Sequence, residues 1–223
     1  MRSVSESINV AQARALALLS AVDEQDLVRK GRMESEVGHD IVELAASTCG
    51  VTRRWHRDIV RSGPNTLSTF DMPIVDRRLG ADETVFLDLG PVFGMAEADV
   101  GRTFVLGSDP EKHRLVADLA VIFGELSGIF HADETITGAQ LYAEACRRSA
   151  DRGWNFAGKI AGHIVGEFPH AGWAGRNKSL YIRPDNDAPL ANADDQGRPF
   201  HWIIEVHIAS PCGSFGGFYE QLA

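Results

Sequence analysis

The stretch Val85-Phe-Leu-Asp88-Leu-Gly-Pro-Val-Phe-Gly-Met-Ala-Glu97-Ala-Asp99-Val-Gly-Arg-Thr-Phe-Val-Leu106 decides the fold. It reads as two apolar β-strands, near 84–89 and 98–106, joined through turn-forming residues from Pro91 to Met95. Each strand carries one aspartate, and a carboxylate within an apolar strand is costly unless something positive compensates it. Asp88 and Asp99 are eleven residues apart, an odd number, so along one straight strand they would face opposite ways. A hairpin between them brings both side chains to one face, where they can share a cation.

Outward from this hairpin the pattern is helices, strands, helices, strands. Val10 to about Lys30 has helical spacing, and Glu34 to Ser47 forms a second helix with Val37, Ile41, Leu44 and Ala45 on one face, stopped by Cys49-Gly50. Arg57 to Arg61 reads as a short strand closed by the turn cluster Ser62-Gly-Pro-Asn65. Asp109-Pro110 caps a helix over roughly 110–130, and Thr137 caps another near 138–151. Gly153 to Gly175 reads as loop and short strand, and Arg183 to Pro199 as a surface loop. His201-Trp-Ile-Ile-Glu205-Val-His-Ile208 is the clearest strand, returning through Ser210–Ser214 into Phe215–Leu222. This order predicts an α+β domain with helices on one face of a largely antiparallel sheet.

The 223 residues, 44% hydrophobic and 24% charged, support a single domain over 1–223 with a substantial core. A net charge of -9 without a Lys/Arg block argues against nucleic-acid binding. Cys49, Cys146 and Cys212, odd in number and widely spaced, read as ordinary buried or half-buried thiols in a reducing compartment. No apolar run approaches the ~20 residues of a membrane span, so no membrane partner is expected. The N-terminal stretch reads as an amphipathic helix rather than a signal peptide, which makes the cytoplasm the expected location.

Three more donors follow the aspartates, each in apolar sequence: His163, Glu205 and Glu220. Glu205 and Glu220 repeat the hairpin device. In strand 201–208 the two-residue period sets His201, Ile203, Glu205 and His207 on one face, read as the polar one, and Trp202, Ile204 and Val206 on the core face. Four carboxylates and an imidazole are a donor set suited to a two-metal hydrolytic centre.

These segments resemble a known family, the pita-bread metallopeptidases, which include methionine aminopeptidases, X-prolyl aminopeptidases and the non-peptidase creatinases. Leu87-Asp-Leu-Gly, Ala98-Asp-Val-Gly-Arg-Thr-Phe, Gly162-His-Ile-Val-Gly…His170, Ile204-Glu205 and Phe218-Tyr-Glu220 carry the likeness, in family order and with both the eleven-residue Asp and the seven-residue His spacing. Arg61-Ser-Gly-Pro-Asn-Thr66 is similar to the family's early glycine-asparagine turn. The resemblance implies a pita-bread fold, a curved antiparallel sheet with helices on its outer face, without the N-terminal domain of the larger prolyl enzymes. It implies two divalent ions (Mn, Co, Fe or Zn): Asp88 chelates one, Asp99 and Glu220 bridge both, and His163 and Glu205 complete the second site. His170 contacts the substrate, Glu205 can shuttle a proton, and a hydroxide between the ions cleaves the bond. The implied activity is that of an aminopeptidase; the alternatives are hydrolysis of a small non-peptide C–N bond in the creatinase manner or another metal-assisted reaction on a small molecule, or a binding module of the same fold without catalysis. A homodimer is a further expectation from the relatives.

The chain departs from the family at four places. Phe70 stands about where a histidine is usual, leaving a donor missing unless His56 substitutes for it. Ala171 follows His170 where glutamate is frequent. Ile203 precedes Glu205 by two where methionine aminopeptidases carry a small hydroxyl residue, and only Gln221, Leu222 and Ala223 follow Glu220. Of the remaining polar residues, His201 and His207 read as solvated or supporting groups, His39, His113 and His131 as surface residues, and Arg102 as either a partner of the site or a surface arginine. Trp154, Phe156, Phe168 and Trp173 read mainly as core.

Overall fold

The computed structural model describes residues 3–68, 72–170 and 177–223. In chain order the elements are α1 (Val4–Glu24), α2 (Glu34–Cys49), β1 (Ile59–Ser62), β2 (Glu83–Leu89), β3 (Val92–Phe93), β4 (Ala96–Glu97), β5 (Val100–Leu106), α3 (Pro110–Ala132), α4 (Gly138–Asp151), β6 (Asn155–Phe156), β7 (Gly162–Val165), β8 (His201–Ala209) and β9 (Gly216–Leu222).

Local chemistry accounts for the helix ends. Ser3 caps α1 by accepting the Glu6 N–H, and Glu36 reaches back to the Met33 N–H ahead of α2. Gly50 ends α2 at φ 64°, a conformation glycine adopts without steric penalty. Asp109 and Pro110 open α3, and Thr137 and Gln140 exchange reciprocal bonds at the start of α4. Three of the four helices start where the sequence predicts; α1 begins six residues earlier because Val4 and Ile8 continue the apolar stripe of Ala11, Ala15 and Leu18.

The main sheet runs β1-β2-β5-β9-β8-β6, with β7 also on β8, and every pairing is antiparallel. Alternation separates its faces. On β2, Val85, Leu87 and Leu89 join α1 and α2 in one core cluster. On β8, Trp202, Ile204, Val206 and Ile208 join α3 and α4 in another. Each fully buried Leu, Ile or Phe along α3 (Leu115, Leu119, Ile122, Leu126) contributes about 1.5–3 kcal/mol. Helix α3 is in fact long and apolar enough to cross a membrane by length and composition, against the sequence expectation; here its buried stripe covers β5, β8 and β9.

Two further expectations change. The Glu205 face of β8 is not a solvated one: Ile203 belongs to the first core cluster, and buried His207 is bonded through Nε2 to the Thr66 carbonyl at 2.7 Å, its ring against those of Phe86 and Phe218. The chain packs over this face, so the polar group of His207 is satisfied internally. Cys212 is exposed rather than buried, because it sits in the β8–β9 turn; Cys49 and Cys146 are half-buried.

Candidate metal centre

Strand register assembles the centre. Asp88 pairs with Gly101, Gly101 with Glu220, and Glu220 with Glu205, so one transverse row crosses β2, β5, β9 and β8. Directly paired residues share a face, which stands three carboxylates side by side. Gly101 is the gap in the row: a Cβ there would lie 2.5 Å from the Phe218 ring and 2.9 Å from the Glu220 Cβ. Asp99 lies one residue ahead of β5, not within a strand, and the small β3–β4 hairpin delivers it to the same face. His163 arrives on β7, paired with Ile203, two residues from Glu205.

The donor atoms converge. Asp99 Oδ2 is 3.1 Å from His163 Nε2, and Glu220 Oε1 is 3.4 Å from the same nitrogen. Asp99 Oδ1 faces the other way, 3.2 Å from His56 Nε2, which is also 3.4 Å from Asp88 Oδ1. Asp99 therefore belongs to two donor groups, His56–Asp88–Asp99 and Asp99–His163–Glu220, with one oxygen toward each. Glu205 shares a hydrogen bond with Glu220 and feels the charges of His163, Asp88 and Asp99.

The electrostatics are those of crowded acids held by two imidazoles. Burial, partly offset by His56, pushes Asp88 up to about 7. Burial also raises Glu205 to about 7 and Glu220 well above the carboxylate range, with the neighbouring carboxylates adding to it. Asp99 goes down to about 2: burial opposes this, but the charge of His56 and hydrogen bonds from His163 and His56 outweigh it. Both imidazoles rise, His56 to about 9, because the attraction of the carboxylates overcomes burial.

Divalent ions fit this donor set. Ions with ~2.1 Å bonds to nitrogen and oxygen put adjacent donors about 3.0–3.4 Å apart, the spacing found around Asp99. His163 bonds the Ile164 carbonyl through Nδ1 at 2.9 Å, which leaves Nε2 as the donor toward the carboxylates, the usual arrangement of a metal-binding histidine. Four carboxylates balance the charge of two such ions.

His170 stands beside this cluster rather than in it. It is buried, its ring lies parallel to that of His163 within 8° at 6.4 Å, and Trp55 packs 4.9 Å from it. Its partner was not anticipated: Glu97, fully buried, accepts from the His170 backbone N–H, the Gly166 N–H and His170 Nδ1. The sequence hint was its place, two residues before Asp99 in the same apolar stretch. Phe70, Ala171 and Trp173 lie outside the described residues. Arg102 points away from the centre, its guanidinium 4.3 Å over the Tyr219 ring, because it alternates with Gly101. Trp154 is core, with its indole N–H on Asp118, while Phe156 and Phe168 are half-buried. His39, His113 and His131 are exposed as expected, and His201 bonds Ser5.

A family model described as metallopeptidase family M24 matches residues 6–193. No curated protein matches the chain. Among solved structures, the prolidase from Pyrococcus furiosus is similar with a TM-score of 0.76 and 21% identity, over 100% of this chain and 60% of that one. The dipeptidase PepE from Mycobacterium ulcerans gives 0.74 and 24%, over 100% and 55%. The methionine aminopeptidase from Thermotoga maritima gives 0.73 and 15%, over 100% and 92%. The chain thus spans little more than half the length of the prolidase and dipeptidase, and nearly all of the aminopeptidase. With the family match extending over most of the chain, and with the sheet, hairpin and outer helices of the same fold, this chain belongs to metallopeptidase family M24 and has the pita-bread fold.

Proposed function

We propose that this chain is a two-metal aminopeptidase that removes N-terminal residues from short peptides. The observation that supports this reading best is Asp99, whose two oxygens serve two separate donor groups. Asp88, Asp99, His163, Glu205 and Glu220 would hold the ions. Bound there, the ions supply Lewis acidity toward the scissile carbonyl and make water a nucleophile at neutral pH.

The chain's own residues do the rest. Glu205 can take a proton from the attacking water and pass it to the departing amine. His170, oriented by Glu97, presents its imidazole to the carbonyl oxygen as charge develops there. Trp55 packs edge-on against His56 and His163 and holds both rings in place.

The test uses the chelator-treated protein reloaded with Mn²⁺, Co²⁺ or Zn²⁺ and offered amino-acyl peptides, X-Pro dipeptides and longer X-Pro peptides. Release of the N-terminal residue only after reloading is the expected result; no cleavage of any peptide with metal bound would overturn the reading. Ion entry displaces protons, so reloading should strengthen as pH rises from about 6 to about 8, through the range where Asp88 and Glu205 deprotonate. Affinity independent of pH in that range would contradict the donor set.

A second expectation concerns Glu97. Glu97→Gln keeps the size of the side chain but removes one of the two acceptor oxygens that hold His170. We expect kcat to fall about 10- to 100-fold, with KM and metal content near wild type, as measured by steady-state kinetics alongside metal analysis. A normal kcat would show that His170 needs no such support.

A further inference from the structure

We propose that His56 is a sixth protein ligand of the centre, binding the ion that Asp88 chelates, so that each metal carries one imidazole. This rests on the two-metal reading above and extends it to a residue outside the five donors that the family resemblance supplies.

Three observations carry it. First, His56 repeats the geometry of His163. Its Nδ1 bonds the Arg57 carbonyl at 2.7 Å, as that of His163 bonds Ile164. Each Nδ1 then carries the hydrogen, and each Nε2 is the coordinating atom, aimed at two carboxylates. Second, the donors are complementary. His56 faces Asp99 Oδ1 and Asp88 Oδ1, while His163 faces Asp99 Oδ2 and Glu220. Third, the imidazole is built into its place. A Cβ on Gly90 would lie 2.3 Å from His56 Cδ2 and 2.5 Å from its Nε2, so only glycine leaves room for the ring. The segment before β1 is stitched down around it: Trp55 N–H donates to the Gly90 carbonyl, and its indole N–H to the Ala98 carbonyl at 3.1 Å. The His56 side chain is only 6% exposed. A surface histidine would not be fixed through ring, backbone and neighbour at once.

The chemistry has a consequence for metal choice. An all-carboxylate first site suits Mn²⁺, whereas an added imidazole shifts preference toward Zn²⁺, Co²⁺ or Fe²⁺.

The test combines X-ray absorption of the zinc-loaded wild-type protein with calorimetric titration of Zn²⁺ and Mn²⁺ into wild type and His56→Gln. Expected are two zinc ions per chain with about one imidazole each, and, in His56→Gln, about half the imidazole count with one Zn²⁺ bound ~100-fold more weakly and Mn²⁺ little changed. Two ions with half an imidazole each in the wild type, or an unaltered Zn²⁺ affinity in the variant, would overturn the role of His56 while leaving the two-metal reading intact. Failure of the wild type to bind any metal would overturn both. The wild-type imidazole count decides the matter even if the variant does not fold.

Discussion

Asp99→Asn is expected to abolish the two-metal centre, leaving no more than one tightly bound ion per chain and lowering kcat/KM by about 10³-fold or more. Asp99 is the residue common to both donor groups, 3.2 Å from His56 on one side and 3.1 Å from His163 on the other, and only 1% exposed. Asparagine offers one oxygen and one amide that cannot accept. Whichever way it turns, one donor group loses its shared atom and faces an N–H instead. Losing ~4 kcal/mol of charge stabilisation in the transition state corresponds to the stated drop in rate.

Thermal unfolding gives an independent readout. Saturation at about a thousand times Kd stabilises a folded protein by about 4 kcal/mol. For a chain of this size that is a rise in Tm of roughly 8–16 °C. Wild type should show this rise on metal addition and lose it to chelator, whereas Asp99→Asn should show a clearly smaller one. The comparison is of each protein with and without metal, so a changed baseline stability in the variant does not confuse it. Two retained ions and near-normal turnover in Asp99→Asn would remove the shared-aspartate model.

The largest effect on folding is expected from Gly162→Ala. Gly162 has φ 146°, outside what a residue with a side chain readily adopts, and an added Cβ would lie 2.1 Å from the Ile203 carbonyl oxygen and 2.8 Å from Ile182 Cδ1. The carbonyl belongs to backbone that cannot yield alone. Ala161 and Gly162 are bonded to Ile182 on one side, and the Ala161 carbonyl accepts the Glu205 N–H on the other. Relief of the clash must therefore push β7 from β8, and His163 with it. A loss of at least ~3 kcal/mol is expected, seen as a Tm lower by roughly 6–12 °C, together with weakened metal binding. Gly124→Ala is the matched control: an added Cβ meets nothing within 4 Å inside α3, where alanine favours the helix by about 0.5–1 kcal/mol. Equal stability of the two variants would mean that the close approach at Gly162 is not tight.

Much of the architecture was legible residue by residue. Helix caps at Asp109 and Thr137, the glycine stop after α2, and the alternation along β8 depend on neighbours within a few positions, and the structure keeps them. The family likeness rested on the same local motifs. Departures came where distant parts meet. His56 lies in Thr52-Arg-Arg-Trp-His-Arg-Asp58, a segment without periodicity, so the sequence offers it only as a stand-in for the missing histidine and does not place it beside Asp88. Glu97 and His170 are 73 residues apart, and His207 and Thr66 are 141 apart. In each case a residue that reads as ordinary or solvated is buried by a partner that no local pattern names.

The sequence by itself determined the α+β class and the strands around the acids, and it named five candidate donors through the family resemblance, because strand periodicity, capping and motif spacing are properties of short segments. Only the tertiary structure decided that Asp88, Glu220 and Glu205 stand in one row with a gap at Gly101, that Asp99 turns one oxygen to each side, and that His56 joins Asp88. Those outcomes follow from interstrand register and from loops packed onto strand ends, which are set by backbone hydrogen bonds and steric fit between residues far apart along the chain.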